Sequence, residues 1–293
     1  MFDAITPQLL FGQLLIGVIN GSFYAMLAMG LAIIFGLMHV VNFAHGAQYM
    51  LGAFFAWLLL STLGVPYWGA LIIAPVLVAI TGMALERVLL KPIADLDHLY
   101  SLLITYAATL VIEGLIRQQY GSSGLPYDSP LPGGVNLGFM FLPWYRLWVV
   151  VFSVLTCLGS WLLIEHTKLG AYLRAANENS DVVESFGVNV PRMMTLTYGF
   201  GVGLAGLSGV LAAPVYQVSP SMGSSLMIVI FAVVVIGGMG SIIGAVLTGY
   251  LLGIVEGLTK VFYPEGANLV IFLIMLLALI FRPSGLFAGR ERS

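Results

Sequence analysis

Residues 20–50 read NGSFYAMLAMGLAIIFGLMHVVNFAHGAQYM and contain no Asp, Glu, Lys or Arg. They form the central part of an uncharged run of 82 residues, 4–85, and a second uncharged run of 63 residues covers 193–255. A helix needs only about 20 residues to cross the hydrocarbon layer of a membrane. Each run must therefore fold back through the membrane, and the chain is predicted to be an all-α polytopic membrane protein.

The charge content of the whole chain agrees with this prediction. Its 293 residues include 11 Lys and Arg and 13 Asp and Glu, so that 8% of the residues are charged, against about 25% in soluble domains. Outer-membrane barrels are excluded because their strands alternate polar and apolar residues, whereas these runs are apolar on every face. The net charge of −2 gives no indication of nucleic-acid binding.

Turn-forming and charged residues divide the chain into about nine apolar segments, which predicts eight or nine transmembrane helices in a single transmembrane domain, residues 1–293. The segments lie near 9–35, 43–62, 68–89, 99–119, 146–164, 193–212, 224–239, 241–262 and 267–282. The stretch 36–45 is either a turn or the unwound part of a discontinuous helix. A re-entrant segment there would change the number of spans and reverse the side of the N-terminus.

The basic residues indicate the orientation, because cytoplasmic loops carry an excess of Lys and Arg. Nine crossings with the N-terminus outside place eight basic residues in the cytoplasm and three outside. The sequence therefore predicts a periplasmic N-terminus and a cytoplasmic C-terminus. In this arrangement the Gly- and Pro-rich segment 121–145 is an external loop, and segment 165–192 is a cytoplasmic loop.

The segment 165–192, called the platform below, carries seven of the 24 charged residues. Apolar residues from Leu169 to Ala176 recur at helical spacing, and Gly187 is placed to end a second short turn in a left-handed cap. An ordered structure is therefore expected here rather than a slack linker.

Polar side chains inside spans are costly to bury in a membrane and are therefore candidates for function. Asn20 and Tyr24 lie one turn apart in the first span, while Asn42, His45 and Gln48 cluster at the start of the second. These five residues either line a substrate pathway or bond to neighbouring backbone.

Two acid–base pairs stand four residues apart with the acid first, which is the favourable order on a helix. They are Glu113 with Arg117 and Glu256 with Lys260. Both are predicted to be structural ion pairs near the external membrane interface.

The glycines between residues 237 and 253 indicate close helix packing. Small residues recur four apart at 240/244 and 249/253, and such steps let helix backbones approach closely in lipid. A smooth glycine face would also permit helices to slide. The residues assigned to this packing are Gly237, Gly238, Gly240 and Gly244.

Two sequence patterns resemble motifs of enzymes or nucleotide-binding proteins, but the residues around them do not fit those motifs. Gly201-Val-Gly203-Leu-Ala-Gly206 matches the dinucleotide fingerprint, which requires a preceding strand and a following acid, but it lies inside an uncharged span. Ser208 follows all four histidines, an order that does not fit a rhomboid-like protease. No lysine stands in a P-loop pattern. The chain is therefore predicted to bind no metal or cofactor and to hydrolyse no ATP alone.

Six segments carry a family resemblance. They are NGSFYAMLAMGL (20–31), VNFAHG (41–46), LERVLLKP (85–92), KLGAYLRAANEN (168–179), FGVN (186–189) and GGMGSIIGA (237–245). In this order, and over nearly the whole chain, they resemble the LivH-type permease of branched-chain amino acid ABC importers.

The resemblance implies a permease of the bacterial inner membrane that works with several other chains. These partners are a second, LivM-like permease, two cytoplasmic ABC ATPase subunits that use ATP, and a periplasmic substrate-binding protein. The resemblance further implies a coupling helix in the platform that docks on an ATPase, although Arg174 stands where other importer permeases have Glu. The matching residues are Arg174, Ala175, Ala176, Glu178 and Gly187.

The implied function is import of branched-chain or related amino acids by alternating access, and relatives also carry urea, short amides or aromatic carboxylates. A channel or secondary transporter would share the apolar spans but would need no ordered platform. No inverted repeat of the kind common in secondary transporters is recognisable. An intramembrane enzyme that acts through Ser208 is the third class.

Overall fold

The computed structural model describes residues 6–94 and 96–287, and this part of the chain is mainly helical. The helices are α1 (Pro7–Met38), α2 (His45–Leu63), α3 (Tyr67–Leu85), α4 (His98–Tyr120), α5 (Trp144–Glu165), α6 (Lys168–Glu178), α7 (Ser180–Ser185), α8 (Val190–Ala212), α9 (Ser224–Gly237), α10 (Ile242–Phe262) and α11 (Ala267–Phe281). A π-helical turn, Glu86–Leu90, and a 3-10 turn, Lys91–Ile93, continue α3, and a 3-10 turn, Pro264–Gly266, precedes α11. Two short strands, β1 (Gly134–Asn136) and β2 (Phe141–Pro143), pair antiparallel.

Seven helices in the described ranges are long and apolar enough to cross a membrane: Pro7–Met38, His45–Leu63, Tyr67–Ile93, His98–Tyr120, Trp144–Glu165, Val190–Ala212 and Ile242–Phe262. The apolar helices α9 and α11 have 14 and 15 residues, fewer than the roughly 20 that one span needs. The predicted all-α polytopic architecture is confirmed. Of the nine predicted segments, seven are full-length spans and two are short helices.

The chain divides into two compact units. Unit 1 comprises the described residues of 1–29, 129–157 and 228–293, and unit 2 comprises those of 30–128 and 158–227. The prediction of one transmembrane domain over the whole chain stays a prediction.

In unit 1, the N-terminal half of α1 packs on α10 through glycines. A Cβ atom added at Gly17 would lie 2.6 Å from the carbonyl oxygen of Gly253, and one added at Gly21 would lie 2.9 Å from the Cα of Tyr250. Because these distances are too short for any real side chain, only glycine permits this approach of the two backbones.

A hydroxyl relay also crosses the unit, in which Tyr250 donates to Ser153 at 3.1 Å and Ser153 donates to the Ser22 carbonyl at 3.0 Å.

A glycine turn joins α9 to α10 in the same unit. Gly238 and Gly240 have φ of 103° and 92°, a region that side chains rarely adopt. Gly237, at the end of α9, lies against Gly244 in the first turn of α10, where an added Cβ would be 2.6 Å from the Gly244 carbonyl carbon. Gly238 and Gly240 thus form the turn, whereas Gly237 and Gly244 form the helix contact.

In unit 2, α8 packs on α2 and α3, and the dinucleotide-like glycines take part in this packing. A Cβ atom at Gly201 would lie 2.8 Å from the Gly30 carbonyl oxygen, and one at Gly206 would lie 2.8 Å from the Cβ of Val78. The motif stands within a helix preceded by the short helix α7. Its glycines therefore serve helix contacts, in agreement with the packing expected from the sequence.

Candidate functional site

The connection between α1 and α2, residues 39–44, is not helical and is called the unwound segment. Asn42 is fully buried within it, so its backbone needs hydrogen-bond partners from the protein. Helix α4 supplies them. The Thr105 hydroxyl accepts from the Phe43 N–H at 3.1 Å, and the Thr109 hydroxyl donates to the Phe43 carbonyl at 3.2 Å.

The stretch 36–45 was predicted to be either a turn or the unwound part of a discontinuous helix, and the choice between the two stays a prediction. Helix α1 continues to Met38 and α2 begins at His45, with His39 at a φ of +53° where the helix ends. Non-helical backbone at membrane depth is tolerated where protein surrounds it, and such breaks mark binding sites in transporters. Thr105 and Thr109 were missed in the sequence because ordinary threonines on a helix carry no such signal.

A cluster of buried amides lies at the junction of the unwound segment and α2. Asn42 donates through Nδ2 to Gln48 Oε1 at 3.0 Å, and both side chains are at most 1% exposed. Within the described chain, Asn42 Oδ1 and Gln48 Nε2 have no hydrogen-bond partner. The Tyr198 hydroxyl of α8 lies close to Gln48 without a well-formed hydrogen bond. The cluster thus contains one buried acceptor and one buried donor that lack partners among the described residues.

His45 belongs to the same region of unit 2. Its ring is 1% exposed and lies against α1, where a Cβ atom added at Gly30 would be 3.1 Å from the ring atom Cε1. The structure therefore brings together three of the five residues predicted for the pathway: Asn42, His45 and Gln48.

Asn20 and Tyr24, the other two, lie in unit 1. The buried Tyr24 hydroxyl donates to Glu256 Oε2 at 2.6 Å, and Asn20 is half-buried one turn earlier on α1. Glu256 is 5% exposed and also accepts from Lys260 at 2.5 Å. Tyr24 is therefore engaged by a buried carboxylate, and its assignment to the pathway stays a prediction.

The two predicted ion pairs have different outcomes. Glu256 and Lys260 form theirs on α10. Glu113 and Arg117 form no ion pair within the described residues, and the buried Glu113 Oε1 has no hydrogen-bond partner there. The prediction for Glu113 was wrong because helical spacing brings two Cβ atoms together but does not direct the side chains, and Arg117 is exposed.

The platform is ordered by a small apolar core. Ala176 of α6, Val183 of α7 and Val190 of α8 are buried against one another. Gly187 follows α7 with a φ of +82°, and its N–H donates to the Glu184 carbonyl at 2.9 Å. The predicted second turn and its left-handed glycine cap are confirmed.

The other platform residues singled out from the sequence are at the surface. Arg174 donates to Glu165 Oε2 at 3.2 Å and to the Ile164 carbonyl at 3.5 Å, which ties α6 to the end of α5. Ala175 and Glu178 are exposed. Phe186 is 81% exposed at the end of α7, an apolar tip on a charged segment. The sequence reasoning placed Phe186 in a family segment but gave it no role.

The loop between α4 and α5 is tied to unit 2. Leu125 and Val218 exchange backbone hydrogen bonds of 2.8 and 3.0 Å. The ring of Tyr127 is 8% exposed and lies 6.4 Å from that of Tyr67. Burial, together with the nearby Tyr67 hydroxyl, raises the pKa of Tyr127 to about 12. This part of the loop is therefore anchored.

Membrane transporters place binding sites where non-helical backbone is enclosed by protein, and the apolar helices with the partly buried segment 39–44 fit this class of protein. The chain belongs to the family described as "Branched-chain amino acid transport system / permease component", whose sequence profile matches residues 13–279. It is thus a multi-pass protein of the inner membrane from a family of transport permeases.

Individual relatives agree over nearly the full length. The permease BraD of the high-affinity branched-chain amino acid transport system of Pseudomonas aeruginosa is 29% identical over 95% of this chain and 96% of its own length. LivH of Escherichia coli strain K12 is 28% identical over 95% of this chain and 96% of its own. LivM of the same strain is 26% identical over 90% of this chain and 67% of its own. The resemblance to LivH-type permeases is confirmed.

Proposed function

We propose that this chain is the LivH-type half of an ATP-driven importer and pairs with a LivM-like permease to form the substrate pathway. One of two ATPase subunits docks on the platform of this chain, the other docks on the partner permease, and a periplasmic binding protein delivers the substrate. The N-terminus is then periplasmic and the platform cytoplasmic. The chain itself carries out no catalysis and binds no cofactor, since ATP is used by the ATPase subunits.

The observation that carries this proposal is the platform. Its core of buried aliphatic side chains holds α6 and α7 in one arrangement, and Phe186 and Val182 are 81% and 50% exposed. Exposed apolar side chains on an ordered, charged surface are typical of protein–protein contacts. A channel or secondary transporter has no need of such a surface, whereas a permease driven by a separate ATPase requires one.

The amide cluster is the proposed point of substrate contact. An amino acid offers an ammonium donor and a carboxylate acceptor, and the cluster offers the complementary pair, Asn42 Oδ1 and Gln48 Nε2. Exchanging the orientation of both amides leaves the same pair of one acceptor and one donor. Both side chains are buried, so the substrate reaches them only after the surrounding helices have moved, as alternating access requires.

The ATPase proposal is tested with the complete importer in proteoliposomes, by uptake of labelled leucine with and without ATP. Phe186→Glu is expected to abolish ATP-dependent uptake and to lower recovery of the ATPase subunits on co-purification. Phe141→Glu is the matched control, since Phe141 is 59% exposed on β2, and it should change neither readout. Uptake that proceeds without ATP, or that survives Phe186→Glu, would remove the platform from the mechanism.

The amide proposal is tested separately by Gln48→Met, which keeps the size of the side chain and removes its hydrogen-bonding groups. The expected result is a rise of at least tenfold in the KM for leucine uptake, with unchanged yield and unchanged ATPase co-purification. Ser208→Ala is the control because the Ser208 hydroxyl is fully buried and lacks a partner within the described ranges. Loss of activity in Ser208→Ala would instead favour an enzymatic role for that serine.

A further inference from the structure

A groove runs along the outside of unit 2 where the end of α5, the start of α6 and the first turns of α8 meet. Its volume is about 450 Å³, within the range of about 300–1,000 Å³ that small-molecule sites occupy. Apolar side chains form most of its wall, among them Leu163, Leu169, Leu196 and Phe200, and Arg192 stands at its polar end.

The groove lies at the membrane boundary. Leu163 belongs to the last turns of the α5 span, and Leu196 lies in the second turn of the α8 span. Both side chains are turned outward, with exposed fractions of 41% and 63%. Since α5 ends and α8 begins at the same membrane face, this wall borders the hydrocarbon just beneath the headgroups. An occupant that enters from the bilayer must therefore be apolar along most of its length.

The polar end of the groove carries positive charge. Arg192 lies in the first turn of α8, and Lys168 begins α6 directly before the wall residue Leu169. Neither cation has an acidic partner among the described residues, whereas Glu165 is held by Arg174. Both cations thus stand at helix N-termini, where the helix dipole adds further positive potential. The complementary group is an anion at headgroup depth.

We propose that this groove is a binding site for an anionic phospholipid, with an acyl chain along the apolar wall and the phosphate at Arg192. An apolar tail joined to an anionic head satisfies both ends of the groove at once, and basic pockets at the membrane face of helical proteins have this chemistry. The site is distinct from the exposed tip at Phe186, since Phe186 does not line the groove.

Native mass spectrometry of the full-length chain, delipidated in detergent and titrated with phosphatidylglycerol or phosphatidylcholine of the same acyl chains, tests the proposal. The wild type is expected to bind phosphatidylglycerol more tightly than phosphatidylcholine. Arg192→Gln should weaken phosphatidylglycerol binding about fivefold, which corresponds to about 1 kcal/mol for one cation at a membrane surface, and leave phosphatidylcholine unchanged. Leu196→Trp, which fills the apolar part, should weaken binding of both lipids.

Arg87→Gln is the matched control. Arg87 is exposed, and its neighbour Glu86 accepts a hydrogen bond of 2.9 Å from Thr195, which places it at the same face of unit 2 but outside the groove wall. An equal loss in Arg87→Gln, or equal retention of the two lipids by the wild type, would overturn the proposal. So would competition by inorganic phosphate as effective as that by intact lipid, because the site would then bind a water-soluble anion.

Discussion

Replacing Tyr24 with phenylalanine removes the 2.6 Å hydrogen bond between α1 and the Glu256 carboxylate. A hydrogen bond to a charged group contributes about 1.5–3 kcal/mol, and the two side chains are 7% and 5% exposed, so water replaces little of the lost contact. Lys260 still pairs with the carboxylate. We therefore expect Tyr24→Phe to lower the free energy of local unfolding by about 2 kcal/mol. In a Glu256→Gln background the acceptor is neutral, and the same change should cost about 1 kcal/mol.

The single cysteine of the chain provides the assay. Cys157 is 4% exposed on α5 in unit 1, the unit that contains Tyr24. When opening and reclosing are fast, the rate at which a maleimide modifies a buried thiol follows the opening equilibrium. A change of 2 kcal/mol corresponds to modification about 30-fold faster, since 1.4 kcal/mol is about tenfold. Tyr263→Phe is the control, because Tyr263 is 55% exposed in the same unit.

Two results would refute the reasoning. An acceleration below about twofold in Tyr24→Phe would mean that the hydrogen bond contributes almost nothing beyond what water supplies. Equal accelerations in the wild-type and Glu256→Gln backgrounds would mean that the carboxylate charge is irrelevant, and that Tyr24 acts only by packing.

Three further changes have defined outcomes. The double change Thr105→Val and Thr109→Val leaves the backbone of the unwound segment without its α4 partners. We expect the free energy of unfolding to fall by about 1–3 kcal/mol per unsatisfied group, measured by thermal unfolding, and uptake to be lost. Serine at both positions keeps the hydroxyls and should restore stability and uptake. Gly187→Ala places a side chain at a φ of +82° and should cost about 1–2 kcal/mol, seen as faster limited proteolysis of the platform. The pKa of Tyr127 is raised from 10 to about 12, so its neutral form stabilises the fold below pH 10, and this stability is lost as the pH rises through 12. Tyr127→Phe should therefore show a smaller decrease in Tm between pH 10 and 12 than the wild type.

Features that depend on residues close together in the sequence could be predicted. Runs without charge predict spans because hydrocarbon excludes charge from every face of a helix. The platform helices and the cap at Gly187 follow from local spacing and from the freedom of glycine to adopt positive φ. The break at 36–45 was recognised because its polar residues interrupt an apolar pattern.

Contacts between distant residues could not be predicted in this way. Tyr24 and Glu256 are 232 positions apart, and nothing in either local pattern selects the other. Phe43 and Thr105 are 62 positions apart. A threonine whose hydroxyl bonds to another segment looks the same in the sequence as one whose hydroxyl bonds to its own helix. Exposed fractions, such as that of Phe186, also depend on which neighbours cover a side chain, and local sequence does not specify them.

The glycine contact between α1 and α10 has a mechanical consequence. Gly17 and Gly21 repeat at the same interval as Gly249, Gly253 and Gly257, and these residues lie against one another along the two helices. Displacing one helix by a single turn, about 5.4 Å, would again bring glycines of the two helices side by side. The same displacement would break the Tyr24–Glu256 hydrogen bond and the relay from Tyr250 through Ser153 to the Ser22 carbonyl. These polar contacts therefore hold α1 and α10 in the observed alignment along an otherwise smooth glycine surface.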